Sequence, residues 1–489
     1  MHKLKTFFQA TPAFLYLLPV FFILHGLNDY YTTTLVKDAV ELTFIYIFAA
    51  ILFAAISCLY LRDFTKAALF AFFIMSINFF FGSCYDFLHT HLGDVFFLKY
   101  SFILPSILIA LFLLLLFLKK SKSTFRKTKK FLNLLLPILI ITDIVILVPK
   151  LINKKNVTTT DLSKELIVCD TCSKPDVYLI VADEYAGKSE LTEILNFDNS
   201  AFEIELGKRG FHITDSTTSN YNATVYSMAS LFSMGYVQHL DSTKINHRDM
   251  LMCRGIINRN NITNFFKKNG YTFYNHSPFQ FNNQKKAIFD PFFPTKKSLF
   301  TAQTFTSRFM KNVGFNFASR QKIEKIIKHH YYNNKTIETL AVKTATTRSG
   351  PKFVYIHLAL PHHPYFFDST AKEIPIKNLT DEFSMNQDAY ISYLIYTNKK
   401  LLTIIDQIKA SSPVTPVIIL MSDHGFRQLP VNTDHKYQFM NLNAVLLPGG
   451  NYSGFYNGIS NVNQFRVILN SQFGQKLPIL KDSTSFLWE

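Results

Sequence analysis

The stretch VIILMSDHGFR, residues 417–427, joins a run of apolar β-forming residues to an acid, a histidine and a glycine. Apolar residues that end abruptly in Asp423 and His424 are typical of a buried strand that delivers two polar side chains to its carboxyl end. A lone Asp-His pair after a strand is more often a hydrogen-bonding pair than a set of ligands. The role of this pair therefore depends on the residues at the carboxyl ends of the other strands.

Other segments have the same strand-like composition: DVYLIVAD (176–183), GYTFYN (270–275), KFVYIHLAL (352–360) and NAVLLP (443–448). Segments with helical spacing lie between them: YSMASLFSMGY (226–236), ITNFFKKNGY (262–271) and residues 387–409. This alternation predicts an α/β/α domain with a mainly parallel sheet. In such folds ligands gather at the carboxyl ends of the strands.

Acids and histidines follow several of these predicted strands. Asp183 and Glu184 follow VYLIVA, and PHHPYFFD (361–368) follows YIHLAL with His362 and His363. After Asp423 and His424, TDHKYQF (433–439) adds His435. Carboxylates and imidazoles at one edge of a sheet are what a divalent-metal site requires. Zinc accepts N and O ligands, whereas manganese or magnesium favours oxygen.

The candidate nucleophile is Thr224, in TSNYNATVYSMASLFSMGY (218–236). A polar, turn-prone stretch there runs into an amphipathic helix from about Val225, so Thr224 falls at a helix N-terminus. Such a position stabilises an anion, and a hydroxyl bound to a dication can attack phosphorus. The alternative is that Thr224 only caps the helix. The neighbouring metal-type cluster favours the nucleophile.

The first 150 residues predict a membrane domain. The chain has 489 residues, of which 48% are hydrophobic and 50 are Phe. Most of its apolar runs reach the ~20 residues that cross a bilayer. These runs, which predict a five-helix transmembrane bundle, are about 12–31, 39–61, 67–88, 97–118 and 131–148. We expect a transmembrane domain at 1–150, a linker at 151–174 and a catalytic domain at 175–489.

The first run is the weakest of the five, because His25, Asn28 and Asp29 crowd its end. A cleaved signal peptide is a poor alternative for it, since no small-residue cleavage site comes after it and four more runs do. Asp143 lies inside the last run. A carboxylate at that depth is a functional candidate, and the alternatives are that it snorkels to the membrane surface or caps a helix.

Basic residues predict the orientation. Lys3 and Lys5 precede the first run, and KKSKSTFRKTKK (119–130) carries seven Lys or Arg, whereas loops 29–38 and 89–96 are nearly free of them. The positive-inside rule places the N-terminus and residues 119–130 in the cytoplasm. Five spans then put the catalytic domain outside the cytoplasm, in a multi-pass protein of the inner or plasma membrane. The flanking spans favour this orientation signal over a nucleic-acid patch, and we expect no nucleic-acid partner.

Two cysteines lie close together in the exported half, in IVCDTCSKPD (167–176). An oxidising compartment permits a disulfide between Cys169 and Cys172. Without a second pair, the motif is weak support for zinc or redox chemistry.

Taken together, these motifs resemble the sulfatase-like branch of the alkaline-phosphatase superfamily. The matching segments are KPDVYLIVADEYAG (174–187), ATVYSMASLFS (223–233), HLALPHHPY (357–365) and SDHG (422–425). With five spans in front, the layout is similar to membrane-anchored phosphoethanolamine transferases and lipoteichoic-acid synthases.

The resemblance implies roles for individual residues. It assigns the principal metal to Asp183, Thr224, Asp423 and His424. Those transferases usually carry Glu where this chain has Asp183, and true sulfatases use two adjacent acids there, so Glu184 is a further candidate ligand. His362 and His435 would bind the transferred phosphate or a second metal. Tyr365 and Lys436, which adjoin these residues, are candidates for contacts with phosphate oxygens. The metal would be zinc or manganese, with magnesium or calcium as alternatives.

The favoured function is transfer of phosphoethanolamine or phosphoglycerol from a phospholipid donor to an envelope lipid or glycan. A membrane-tethered hydrolase of phosphodiesters or sulfate esters is the first alternative, and a non-catalytic binding protein is the second. True sulfatases need a Cys or Ser in a CxPxR-type motif. Cys253 lies in MCRGI without a proline, which argues against sulfate-ester hydrolysis.

Overall fold

The computed structural model assigns the chain to two compact units, which are described separately. The membrane unit comprises Met1–Asn156 and Pro294–Ala318, and the sheet unit comprises Val157–Phe293 and Ser319–Glu489. The structure describes all residues except 1–10, 31–35, 94, 153–161, 163–164, 170, 239, 241–242, 283, 285–286, 289–295, 315–319, 348–349, 380–385, 431 and 489.

The membrane unit contains an apolar helix for each predicted span. These helices are α1 (Phe14–Tyr30), α2 (Val36–Leu61), α3 (Phe64–Leu92), α4 (Tyr100–Lys120) and α5 (Arg126–Ile152). The last four are long and apolar enough to cross a membrane. With 17 residues, α1 is shorter. It is about 25 Å long, slightly less than a typical hydrocarbon core.

A segment from the second half of the chain also belongs to the membrane unit. Its helices, α11 (Lys296–Thr301) and α12 (Phe305–Asn312), pack against α1, α2 and α3. The Gly82 N–H donates to the Gln303 carbonyl at 2.8 Å, and Arg308 pairs with Asp86. A Cβ on Gly82 would lie 2.5 Å from that carbonyl oxygen, so only glycine allows this approach. The expected division had placed residues 294–318 in the catalytic domain.

The sheet unit is built on six strands among the described residues: β1 (Val177–Ala182), β2 (His212–Ile213), β3 (Thr272–His276), β4 (Lys352–Leu358), β5 (Val417–Met421) and β6 (Asn443–Leu446). Their order is β2-β6-β5-β1-β4-β3. The four strands β5, β1, β4 and β3 run parallel, β6 pairs antiparallel with β5, and β2 pairs antiparallel with β6. The predicted mainly parallel sheet is confirmed, and β2 is a strand that the sequence did not indicate.

Helices cover both faces of the sheet: α6 (Lys188–Glu193), α7 (Ser200–Lys208), α8 (Thr224–Ser233), α9 (His247–Asn258), α10 (Asn261–Lys268), α13 (Arg320–Ala345), α14 (Gln387–Ser411) and α15 (Asn461–Phe473). Every β1 residue is fully buried. Alternate β1 side chains, such as Val177 and Tyr178, enter opposite hydrophobic clusters, as expected for a strand between two helix layers. Cys169 and Cys172 form a disulfide.

Candidate active site

The carboxyl ends of β1 and β5 bring three potential metal ligands together. Asp183 follows β1, and Asp423 and His424 follow β5 after Ser422. Because β1 and β5 are parallel neighbours, both ends reach the same edge of the sheet. One ligand atom from each of these three buried residues lies within 4.8 Å of the others. The geometry suits a cation-binding site.

Backbone amides fix the orientation of Asp423. Its Oδ1 accepts hydrogen bonds from the N–H groups of Glu184 (3.0 Å) and His424 (2.9 Å). Its Oδ2 is buried and has no hydrogen-bond donor among the described residues. Asp183 repeats this pattern, since its Oδ1 is also buried without a donor. Such oxygens are costly unless a cation or proton satisfies them.

The ring of His424 is held in the tautomer that suits a ligand. Its Nδ1 lies 2.8 Å from the Gly425 carbonyl oxygen, so Nδ1 carries the proton and donates it. Nε2 is then left with a lone pair. It lies 3.3 Å from both Asp423 Oδ2 and Thr224 Oγ1.

Thr224 is the first residue of α8 and does not cap it. The N-cap is Ala223, which has extended backbone and makes no side-chain cap bond. The Thr224 hydroxyl is instead directed at His424 Nε2. Since the first N–H groups of a helix lack partners within the helix, this end favours negative charge. The structure therefore brings Thr224, Asp183, Asp423 and His424 together.

Buried side-chain hydrogen bonds hold the residues after β5 in place. Ser227, one turn into α8, donates its hydroxyl to the Asp423 carbonyl at 2.6 Å. The Asn461 amide lies 3.3 Å from the same carbonyl, and the Asn441 amide donates to the Ser422 carbonyl at 2.8 Å. These bonds tie α8 to the residues after β5, and thus Thr224 to His424.

His357, on β4, also faces the cluster, although no sequence motif pointed to it. Its Nε2 lies 3.3 Å from Asp183 Oδ2, and its Nδ1 lies 2.6 Å from the Tyr355 hydroxyl. The imidazole is 2% exposed. The only sequence signal was a histidine inside the apolar run KFVYIHLAL, which periodicity treats as a core residue.

The carboxylate of Glu184 takes a different direction from that of Asp183. Glu184 has φ of +62°, a left-handed conformation that is uncommon for a residue with a side chain. Its Oε1 accepts from the Arg427 N–H at 3.1 Å, and its Oε2 lies 3.8 Å from His362 Nε2. Glu184 thus supports the cluster through its backbone, while its carboxylate joins a second group with His362 and Arg427.

His362 belongs to this second group, and Tyr365 follows it three residues later. The His362 Nδ1 donates to the His363 carbonyl at 2.5 Å, which leaves Nε2 toward Glu184. Burial acts to lower the pKa of His362, but the carboxylates of Glu184 and Asp183 outweigh it and the pKa is raised. Tyr365 is 4% exposed, and burial followed by the charge of Glu184 raises its pKa.

His435 and Lys436 lie on the short 3₁₀-helix His435–Phe439. The His435 ring is exposed and packs against the rings of Phe486 and Trp488, with centroids 4.0 and 5.2 Å away. Lys436 lies over the Tyr437 ring. Within the described part of the chain, neither residue has a hydrogen bond or ion pair with the four-residue cluster.

The two buried carboxylates of the cluster differ in their electrostatics. Burial would raise the pKa of Asp183, but His362, His357 and His424 outweigh it, so its pKa is lowered. Burial and the charge of Asp183 raise the pKa of Asp423. Two carboxylates this close disfavour joint ionisation unless positive charge lies between them. The donor set of two carboxylates, one imidazole and one hydroxyl therefore fits a divalent metal ion.

A third buried acid supports the loop that carries His424. Glu190, on α6, is fully buried and accepts the Phe426 N–H at 3.2 Å. Burial raises its pKa well above the ordinary value. A Cβ on Gly425 would lie 2.6 Å from Glu190 Oε2, so the glycine of SDHG is required by close packing.

Comparison with known proteins identifies the family of the chain. The sequence profile of the sulfatase family matches residues 193–465, which is more than half of the chain. The chain belongs to the sulfatase family. The matched range includes Thr224, His362, Asp423 and His424, while β1 and Asp183 precede it. Family membership and the donor set together indicate a divalent-metal site.

Solved structures with a similar fold include transferases and sulfatases. The integral membrane phosphoethanolamine transferase A from Neisseria meningitidis is 12% identical, with 94% of this chain and 95% of that chain covered and a TM-score of 0.40. The periplasmic domain of phosphoethanolamine transferase EptC from Campylobacter jejuni is 16% identical, with coverage of 64% and 94% and a TM-score of 0.36. A 2-O GAG sulfatase is 12% identical, with coverage of 64% and 73% and a TM-score of 0.39. A search of curated proteins gave no significant match.

Proposed function

We propose that the protein is an integral-membrane, metal-dependent phosphotransferase. It moves phosphoethanolamine or phosphoglycerol from a lipid donor to an envelope lipid or glycan. The observation that carries this proposal is the Thr224 hydroxyl, 3.3 Å from His424 Nε2 at the start of α8. A threonine cannot become the formylglycine of true sulfatases, so its position favours phosphorus chemistry.

In this proposal Asp183, Thr224, Asp423 and His424 hold the metal, which is zinc or manganese. A bound dication would lower the pKa of the Thr224 hydroxyl and offset phosphate charge. His362 and Tyr365 bind phosphate oxygens from the side of Glu184, and His435 and Lys436 approach from the 3₁₀-helix. His357 orients the Asp183 carboxylate through the contact of its Nε2 with Asp183 Oδ2.

The transfer proceeds in two displacement steps at phosphorus. Thr224 Oγ1 forms a bond to phosphorus while the bond from phosphorus to the diacylglycerol oxygen breaks, and the proton of Thr224 passes to that leaving oxygen. The acceptor hydroxyl then attacks phosphorus and loses its proton, the Thr224–phosphorus bond breaks, and Thr224 Oγ1 takes up that proton. His362 is partly exposed and beside Glu184, which suits it to carry that proton.

The proposed orientation places the N-terminus in the cytoplasm and the sheet unit outside it. It is supported by the seven Lys or Arg of residues 119–130, where α4 ends and α5 begins, and requires α1 to cross the membrane. If α1 does not cross the membrane, the N-terminus and the sheet unit lie on the same side of it. Labelling of cysteines introduced at Ser123 and at exposed Thr192 with an impermeant reagent in intact cells separates the two arrangements.

The test of activity uses the full-length protein with vesicles of phosphatidylethanolamine or phosphatidylglycerol. Intact mass and metal content are measured for the parent, for Thr224→Ala, and for Thr192→Ala as a control at an exposed threonine of α6. We expect bound metal in the parent and the control. We also expect a phosphoethanolamine or phosphoglycerol adduct in both, and no adduct in Thr224→Ala.

The other outcomes separate the alternatives. Metal with lipid cleavage but no adduct would point to a hydrolase. A protein that binds no metal would overturn both enzyme hypotheses and leave a binding role.

A further inference from the structure

A buried polar cluster joins α1 and α5 inside the membrane unit. Asp143, on α5, is 5% exposed. The His25 Nδ1 lies 3.1 Å from its Oδ1, and the Asn28 amide donates to that Oδ1 and to the Asp143 carbonyl, at 3.0 Å each. An ionisable group in a membrane helix is costly, and such groups commonly mark ligand or ion sites.

Two acceptors in this cluster lack donors. Asp143 Oδ2 and Asn28 Oδ1 are buried, and neither has a hydrogen-bond donor among the described residues. An unsatisfied buried acceptor is unfavourable, and more so when it is charged. A carboxylate beside an amide oxygen is matched by a cation with several N–H donors. A phosphate would be repelled, and a glycerol hydroxyl carries no charge.

The cluster also lies at a suitable depth for a lipid headgroup. Asn28 is two residues before the end of α1 at Tyr30, about 3 Å along the helix axis. Lys150 lies about two turns after Asp143 on α5 and donates to the Asn28 carbonyl at 3.0 Å. The site therefore lies in the half of the membrane unit that contains the ends of α1 and α5, with Asp143 about 13 Å before the end of α5.

One side of the cluster is closed and another is open. Leu27 and Leu147 belong to an apolar cluster with Phe300, which covers the closed side. The His25 side chain is 58% exposed and marks the open side. His25 therefore lies between Asp143 and the surface from which a headgroup would approach.

We infer that Asp143 and Asn28 bind a primary ammonium group, supplied by the headgroup of an ethanolamine phospholipid. The inference rests on the proposed function, because it assigns this lipid as the donor and phosphoethanolamine as the transferred group. Asp143 and Asn28 select the headgroup of the lipid that the membrane unit binds. They take no part in the chemical step.

The test is lipid retention by the full-length protein. The purified protein is incubated with equal amounts of phosphatidylethanolamine, phosphatidylglycerol and phosphatidylcholine with identical acyl chains, and bound lipids are counted by native mass spectrometry. We expect the parent to retain phosphatidylethanolamine at least about tenfold over the other two, the factor that a charged hydrogen bond provides. Phosphatidylcholine is the informative competitor because its trimethylammonium group has no N–H.

Two variants locate the site. Asp143→Asn keeps the shape and an acceptor for Asn28 but removes the charge, and we expect it to lose the tenfold preference. Asp29→Asn is the matched control, because Asp29 is an exposed acid one residue from Asn28, and we expect it to match the parent. The ratio of lipids retained by the parent protein is measured independently of the variants. The inference can therefore still be tested if Asp143→Asn fails to fold.

Several outcomes would overturn the inference: no preference in the parent, equal retention of phosphatidylcholine, or an unchanged preference in Asp143→Asn. Displacement of the lipid by millimolar free ethanolamine or ammonium would assign the site to a soluble cation and also overturn the lipid assignment. Retention does not depend on turnover. If the protein still prefers phosphatidylethanolamine but forms no Thr224 adduct, only the proposed function is wrong. If an adduct forms only from phosphatidylglycerol, only the assignment of the donor lipid is wrong.

Discussion

Gly425→Ala tests the idea that close packing behind His424 shapes the metal site. The added Cβ would lie 2.5 Å from the Met440 carbonyl oxygen, and 2.6 Å from both the Tyr437 carbonyl oxygen and Glu190 Oε2. Two of these three atoms are backbone atoms and cannot rotate away. Overpacking of this kind costs about 1–3 kcal/mol, and we expect the upper end of that range.

The same change should disturb the imidazole. The His424 Nδ1 donates to the Gly425 carbonyl, so a displaced Gly425 turns Nε2 away from Asp423 and Thr224. We therefore expect the full-length variant to unfold several degrees below the parent and to carry less than stoichiometric metal. Thermal unfolding and metal analysis of the same sample measure both effects.

Gly255→Ala is the matched control. Gly255 lies inside α9, and no heavy atom lies within 4 Å of its ideal Cβ position. Alanine should stabilise that helix by about 0.5–1 kcal/mol, because glycine loses more backbone freedom on folding. If Gly425→Ala retains both the unfolding midpoint and the metal content of the parent, the packing argument for the SDHG glycine is refuted.

Two further predictions concern histidines of the sheet unit. Tyr355→Phe removes the hydroxyl 2.6 Å from His357 Nδ1, so metal affinity should fall about 10–100-fold as the support for Asp183 weakens; an unchanged affinity in chelator competition would contradict this. Burial lowers the pKa of His276 to about 4, so the unfolded chain takes up this proton first and stability falls as pH drops below about 6.5. His276→Gln should remove about 2 kcal/mol of the loss between pH 7.5 and pH 5, measured by thermal unfolding, and equal losses in both proteins would rule out His276 as the source.

The strands that carry the cluster were predictable because buried parallel strands have a strong compositional signature. VYLIVA and VIILM are continuous apolar runs followed by acids, and the structure places β1 and β5 side by side. Parallel pairing then brings Asp183 and Asp423 together. The close approach of Thr224 follows from the start of α8, which the polar-to-amphipathic transition marks.

Two features of the site could not be predicted. Neighbouring acids are equivalent in sequence, and only the positive φ of Glu184 sends its carboxylate toward His362 and away from Asp183. His357 lies in an apolar run, where a histidine has no pattern that distinguishes a ligand-orienting residue from a core residue. Both depend on local backbone geometry and on pairing between distant strands.

The position of residues 294–318 was also beyond sequence patterns. Its helices are short, and their partners lie more than two hundred residues away, as in the bond from the Thr306 hydroxyl to Asn78 (2.7 Å). Polar residues on a membrane helix, such as Asn78 and Asp86, were the available signal. Nothing in their spacing identified the segment that binds them.

The membership of residues 294–318 in the membrane unit affects how the protein can be divided for experiments. The chain passes between the two units three times, so a single cut near residue 156 does not separate them. A secreted fragment that begins there would still carry α11 and α12, with Phe300 and Arg308 deprived of α1 and α3. Such a fragment would bind detergent or aggregate through that segment. A soluble catalytic fragment for crystallisation or inhibitor screening should replace residues 294–318 with a short polar loop.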